Sequence, residues 1–375
     1  MASLNKNASV FFTLLQTGLW LELEKQVSLD GSVDWEEVYQ LASEQSVLGP
    51  VLAGIDCLPN DQKPPKILLL QWIGEIQMLE QQNKEMNGFI GELVDKLRSS
   101  GVYTLLIKGQ GIAQCYDRPL WRSCGDVDFF LSKENYSKAK NYLIPLATNV
   151  NKEYVREKHL GMTIDSQEVE LHGRLYSGLS SRIDKELDYV YQDTFYGGKV
   201  RSWQDGKTQV FLLAVENDVF YVFTHILQHF YKGGIGIRQI CDWCRLLWKH
   251  RGEINIKKLE TRLIRARLMS EWKAFGAFAV DYLGMPSEAM PFYSPEKKWK
   301  RKANKICAFI LEVGNMGHNR DSSYFNKYPY IIRKACSLER RCSDLLRHAR
   351  IFPLDSLRFF PHIVYNGFIS AMRGE

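Results

Sequence analysis

Within Tyr103–Leu131, read as YTLLIKGQGIAQCYDRPLWRSCGDVDFFL, two aspartates are separated by a single valine. Alternate side chains of a strand share a face, so Asp126 and Asp128 point one way while Val127 and Phe129 point into a core. Each carboxylate destabilises the ionised form of the other, and a bound divalent cation relieves that cost. The surrounding residues are therefore read for a phosphate or metal site.

Val102–Ile107 is a short apolar run that reads as a buried strand, and Lys108-Gly109 follows it directly. The pattern over Gly109–Tyr116 predicts a short helix. Gly109 and Gly111 then lie at a strand-to-helix turn, where free backbone amides meet a phosphate. After Asp117-Arg118-Pro119, Gly125 introduces the strand DVDFFL, and Ser132 caps a helix through about Leu143. Leu160–Ile164, the turn Asp165-Ser166-Gln167 and Glu168–His172 have the form of a β-hairpin. Val169 and Leu171 face its core, so Glu168, Glu170 and His172 face the other way. Glu170, central in its strand and held more firmly than Glu168, is the expected third carboxylate, and His172 and Arg174 adjoin it as candidates to line the site.

The flanks read as helices. Asp34 caps WEEVYQLASEQSV, Gly49-Pro50 marks a break, and Ile67–Leu97 forms a long helix with Leu70, Ile73, Ile76, Ile90, Leu93 and Leu97 toward the core. Asn83 and Asn87 on it read as solvated surface. Beyond roughly Gly206 helices return. Val215–Tyr231 carries His225 and His229 on one face; they read as a polar face near the cleft or as plain packing, without the glutamate or third ligand of a zinc helix. Arg238 and Asp242 on the next helix read as an i, i+4 ion pair. Later helices run through Ile256–Leu283 and Trp299–Glu312, with a loop at Gly314–His318 and final helices between Tyr328 and Arg373.

Composition limits the function classes. The 375-residue chain has 49 basic and 43 acidic residues, a net charge of +6 that suits an anionic ligand but is too dispersed for a dedicated nucleic-acid binder. The runs Lys297–Lys305 and Arg333–Arg350 read as solvated helix faces. Eight cysteines without a framework fit a reducing cytoplasm, and Cys241 and Cys244, lacking a second such pair, read as helical core thiols. The apolar stretch Val10–Leu21 reads as an amphipathic helix, and no stretch is long and apolar enough to span a membrane.

Two aspartates one residue apart with a carboxylate on a neighbouring strand are what two-metal phosphoryl transfer requires, because hard cations such as magnesium or manganese take oxygen ligands. Asp126 and Asp128 would hold the triphosphate-bound metal. Glu170 would join them at a second metal and help deprotonate an acceptor hydroxyl. The order of apolar strand, glycine turn, helix, Gly-Asp-x-Asp and later strand carboxylate resembles the DNA polymerase β-like nucleotidyltransferase superfamily. Within it, Lys108-Gly109, the Tyr-x-x-Pro-x-x-Arg spacing of Tyr116, Pro119 and Arg122, and Asp126-Val127-Asp128 resemble a poorly characterised bacterial nucleotidyltransferase family. The resemblance extends to EVELHGRL and, more loosely, to THILQHF and GIRQICDWCRLL.

That resemblance implies Lys108, Gly109 and Arg122 at the nucleotide phosphates and Asp126, Asp128 and Glu170 at the metals. Gln110 stands where the superfamily places serine or glycine. The expected fold is α+β: a small mixed-sheet nucleotidyltransferase core over 101–205, between an N-terminal helical region (1–100) and a C-terminal helical domain (206–375). The expected reaction moves a nucleoside monophosphate from a triphosphate, ATP first among them, to a hydroxyl of a small molecule, sugar or protein, with release of pyrophosphate. A non-catalytic nucleotide-binding or scaffold protein that keeps the fold is the alternative.

Overall fold

The computed structural model describes residues 4–24, 27–315, 339 and 342–372. Residues 316–338 and 340–341 fall outside the described residues, and with them most of the loop expected at Gly314–His318, the start of the last helices and much of the run Arg333–Arg350.

Helices α1 (Lys6–Leu19), α2 (Trp35–Glu44), α3 (Leu48–Asp56) and α4 (Lys66–Ser99) come first. Asp34 caps α2 by accepting from the Glu36 and Glu37 amides. Gly49-Pro50 does not break the chain as expected but lies in the first turn of α3, where a proline amide has no helical partner to lose. A Cβ on Gly18 would stand 1.7 Å from the Pro50 carbonyl oxygen, and one on Gly54 would stand 2.0 Å from that of Leu14, so α1 and α3 cross backbone to backbone. The buried stripe of α4 follows Leu68, Trp72 and Ile76; Leu70, expected inside, is 58% exposed because it falls between those turns.

The α+β expectation holds: a seven-stranded mixed sheet lies among helices. In chain order its strands are β1 (Leu105–Ile107), β2 (Asp126–Phe130), β3 (Asn149–Val150), β4 (His159–Ile164), β5 (Gln167–His172), β6 (Val200–Asp205) and β7 (Thr208–Leu213). Across the sheet the order is β3-β4-β5-β2-β1-β7-β6. Between the strands lie α5 (Gly109–Ala113), α6 (Lys133–Leu143) and α7 (Ser181–Phe195). Helices return at Val215, one strand later than the expected point near Gly206, since β7 continues the sheet parallel to β1 and antiparallel to β6. The Gly206-Lys207 turn between β6 and β7, with Gly206 at φ +55°, is a hairpin signal that an all-helical reading of the remainder passes over.

Alternation divides the sheet between two cores. Leu106, Val127, Phe129, Val169 and Leu171 pack with α4 and α6 on one face. Leu105, Ile107 and Phe130 on the other face join a larger core that includes α1, α3, α8 (Val215–Lys232), α9 (Ile237–Lys249), α10 (Ile256–Ala266), α11 (Met269–Leu283) and α12 (Lys297–Val313). A helical segment over 342–349 and α13 (Pro353–Met372) complete the described chain. Cys241 and Cys244 are free, buried core thiols, as expected. Among the described residues no helix is long and apolar enough to cross a membrane.

Candidate active site

The larger-core face of the sheet opens locally into a cleft of about 220 Å³, walled by β1, β2, β5, α5, α8 and α9. Strand β2 pairs parallel with β5 so that Asp128 lies opposite Glu170, and one ligand oxygen each from Asp126, Asp128 and Glu170 falls within 4.8 Å of the others. Glu168, the rejected alternative, is exposed and accepts from Thr163 Oγ1 at 2.8 Å. Burial, and then the neighbouring Asp128, push the Asp126 carboxyl above its ordinary range, with Lys108 opposing. An all-oxygen, mutually repelling donor set of this kind fits a hard divalent cation.

Lys108, between β1 and α5, has φ +58° and ψ −147°, a backbone region costly for a residue with a side chain. The bend carries its Nζ to 2.7 Å from Asp128 Oδ1. Burial is the largest single influence and works against the ammonium, but Asp128, Tyr221, Asp126 and Glu170 together outweigh it and hold the lysine charged above its usual range. Gly109 follows at φ +41°, where a Cβ would meet Cys124 Sγ at 3.2 Å and the Asp126 carbonyl oxygen at 3.3 Å. Gln110 is buried and donates to Asn83 Oδ1 at 2.6 Å, while Asn83 Nδ2 donates to the carbonyls of Leu120 and Arg122. Asn83 is thus no solvated surface residue. It fastens α4 to both sides of the cleft loop, a role that the helical pattern around it conceals.

The Tyr-x-x-Pro-x-x-Arg spacing has a structural meaning. Pro119 starts a 3-10 turn over Pro119–Trp121 that brings Arg122 back beside Tyr116. Both close on Asp242 of α9: Tyr116 donates to Oδ1 at 2.8 Å, and Arg122 donates to Oδ1 through Nε at 3.1 Å and to Oδ2 through Nη2 at 2.6 Å. The expected Arg238–Asp242 ion pair is therefore replaced, because Arg122 reaches the carboxylate with bidentate geometry. Arg238 instead donates through Nη1 to the Ser123 carbonyl at 2.6 Å. Arg122 Nη1 and Arg238 Nε are enclosed without hydrogen-bond partners, and both residues line the cleft.

Opposite the carboxylates, α8 presents His225 and His229, whose Nε2 atoms are 3.2 Å apart. Burial, then the Lys108 charge, keep both imidazoles neutral, with His229 pushed down to about 4. A second lobe of about 180 Å³ shares Lys108, Glu170, His225 and His229 with the first and continues to His159, His172, Arg174, Tyr176 and Tyr221. His172 Nε2 is 2.8 Å from Asp128 Oδ1. Burial alone would raise the Glu170 carboxyl, but the imidazoles of His159 and His172 hold it well below its usual range. Arg174 lines only this second lobe and makes a bidentate pair with Asp188, with both bonds at 3.0 Å.

The sequence reading did not single out His159, Tyr221, Gln239 or the Asp242 clasp. His159 had a signal: extending the β4–β5 register one residue beyond Leu160 pairs it with His172. The model of a family described as an uncharacterised nucleotidyltransferase matches residues 31–284, well over half of the chain. No curated protein and no solved structure matches it.

Proposed function

The chain belongs to this nucleotidyltransferase family, and from that premise we propose that it transfers a nucleoside monophosphate from a nucleoside triphosphate, ATP first among them, to a hydroxyl-bearing acceptor, releasing pyrophosphate. We read its core as polymerase β-like. The observation that carries the proposal is the polarity of one cleft: three converging carboxylates on the sheet, and the enclosed, unpartnered donors Arg122 Nη1 and Arg238 Nε among the residues that line it.

Asp126, Asp128 and Glu170 would hold magnesium or manganese, which when bound neutralises phosphate charge and lowers the proton affinity of a coordinated acceptor oxygen. The two free guanidinium donors supply hydrogen bonds to phosphate oxygens and strengthen as charge builds there. Gly109 keeps the approach to Asp126 open, since a larger residue would crowd both the backbone and Cys124. Lys108 and His172 both contact Asp128 Oδ1, leaving Oδ2 for a further ligand. Glu170, held so far below its ordinary range, serves better as a ligand than as a base. The neutral imidazoles of His225 and His229 are the cleft's proton acceptors, and the negative charge of an arriving triphosphate raises their proton affinity.

Incubating α-labelled triphosphate with magnesium and candidate acceptors is expected to give a labelled product. Asp126→Asn or Asp128→Asn should lower its formation by about 100-fold or more. Equal turnover by the variants would overturn the assignment. The occupation of Asp128 Oδ1 by the Lys108 ammonium and the His172 imidazole favours one competing reading, a non-catalytic nucleotide binder. Calorimetry showing magnesium-dependent triphosphate binding with no product under any acceptor would select it.

A further inference from the structure

Beside the acidic set, a second group of ligand atoms converges. His159 on β4 and His172 on β5 are cross-strand partners, with ring centroids 4.8 Å apart and planes inclined by 23°. Tyr154 stacks on the other side of His159, so the ring orientations are fixed by packing. The two Nε2 atoms lie 3.0 and 3.4 Å from the same Glu170 Oε2, and one ligand atom from each of the three residues falls within 4.8 Å of the others. His159 Nε2 is enclosed yet makes no hydrogen bond despite its closeness to Glu170. Ligand atoms held about 2.0–2.1 Å from a common ion are roughly 2.9 Å apart at an octahedral edge and roughly 3.3 Å apart at a tetrahedral one. The observed 3.0 and 3.4 Å lie close to those two values, and His159 Nε2 has no hydrogen bond for an ion to displace.

We propose that His159, Glu170 and His172 form a transition-metal site, distinct from the all-carboxylate set but sharing Glu170 with it. Two imidazoles and one carboxylate suit Zn²⁺, Co²⁺ or Mn²⁺ and disfavour Mg²⁺, which prefers oxygen and retains its water. His172 Nε2 also lies 2.8 Å from Asp128 Oδ1, so a bound ion would take the place of that hydrogen bond, and a proton carried on Nε2 would leave to solvent. The protein ligands leave coordination positions toward the second lobe, where Tyr176 and Tyr221 line the wall. The inference depends on the nucleotidyl-transfer reading only through their common use of Glu170.

The full chain, freed of metal by chelation, is titrated with Co²⁺ and followed by visible absorption. One equivalent is expected to bind with the spectrum of nitrogen-coordinated cobalt and to resist competition by Mg²⁺. His159→Ala and His172→Ala should each weaken binding by about tenfold or more. Asp126→Asn should keep the cobalt spectrum while losing magnesium-dependent triphosphate binding, which separates failure of this site from failure of the transferase reading. Circular dichroism checks that the variants fold. If either does not, nitrogen hyperfine coupling to Mn²⁺ in pulsed electron paramagnetic resonance of the wild-type chain decides. Unchanged cobalt affinity in folded His159→Ala, or absence of nitrogen coupling in wild type, overturns the proposal.

Discussion

Asp242 accepts from the half-buried Tyr116 and, through both oxygens, from Arg122, and the Asp242 and Arg122 side chains are withdrawn from bulk water. Removing one partner of such a pair leaves a buried charge uncompensated. Asp242→Ala is therefore expected to destabilise the fold by about 3–5 kcal/mol. Tyr116→Phe, which deletes one hydrogen bond, should cost about 1 kcal/mol. Urea denaturation of both variants checks the ratio, and equal effects would show that the phenol rather than the guanidinium anchors α9. The three carboxylates were legible in the sequence because strand alternation is local: Asp126 and Asp128 share a face by period two, and Glu170 follows from the pattern of its own strand. The partner of Arg122 was not legible, since it lies 120 residues away and the nearer Arg238 offered a plausible local pair. Asn83 was hidden for a related reason, because a polar residue on a long amphipathic helix reads as surface until another segment covers it.

Helix α8 brings its two imidazoles to the cleft with Nε2 atoms at hydrogen-bond distance, an arrangement in which one ring donates and the other accepts as long as the accepting ring is neutral. The folded pKa of His229, about 4, lies below the unfolded value of about 6.5. Between those values the unfolded chain binds more protons. The stabilising term is thus fully present above about pH 6.5 and is lost as pH falls toward about 4. His229 alone should lower the unfolding free energy by roughly 2 kcal/mol between pH 7 and pH 5, and His229→Gln should flatten that slope in denaturant titrations at the two pH values. The α1–α3 crossing gives a second prediction at this scale. Gly54→Ala sets a methyl 2.0 Å from a backbone oxygen that cannot rotate away, so the helices must separate. The expected loss is about 3 kcal/mol or more, read as a lowered thermal midpoint. The helices themselves were legible from periodicity and the Asp34 cap. This crossing was not, because Gly49-Pro50 carries the same letters whether it ends a helix or opens one.

At the scale of the molecule, the side of the sheet that carries the cleft is backed by one continuous core drawn from α1, α3 and the helices after β7. Phe11, Phe12, Leu14, Leu15 and Leu19 of α1 are almost wholly buried in it. At about 1.5–3 kcal/mol for each buried side chain, their removal approaches the entire stability of a typical domain, about 5–15 kcal/mol. A chain lacking residues 4–19 is therefore expected to lose cooperative unfolding in calorimetry, although no residue of α1 lines either lobe of the cleft. The α+β class was readable from the change of period at Gly101; the β6–β7 hairpin had a local glycine signal, but the place of β7 beside β1 was not readable, because it depends on a pairing between distant segments.

Trp20, just after α1, donates its indole proton to the carbonyl of Leu283, 263 residues later. During synthesis at about 5–20 residues per second, roughly 15–50 s pass between the emergence of those two partners from the ribosome. Throughout that interval α1 has only α2 and α3 to pack against, and the part of its apolar face that meets Phe278 and Tyr282 of α11 stays uncovered, a patch that holding chaperones are expected to shield until synthesis passes Leu283.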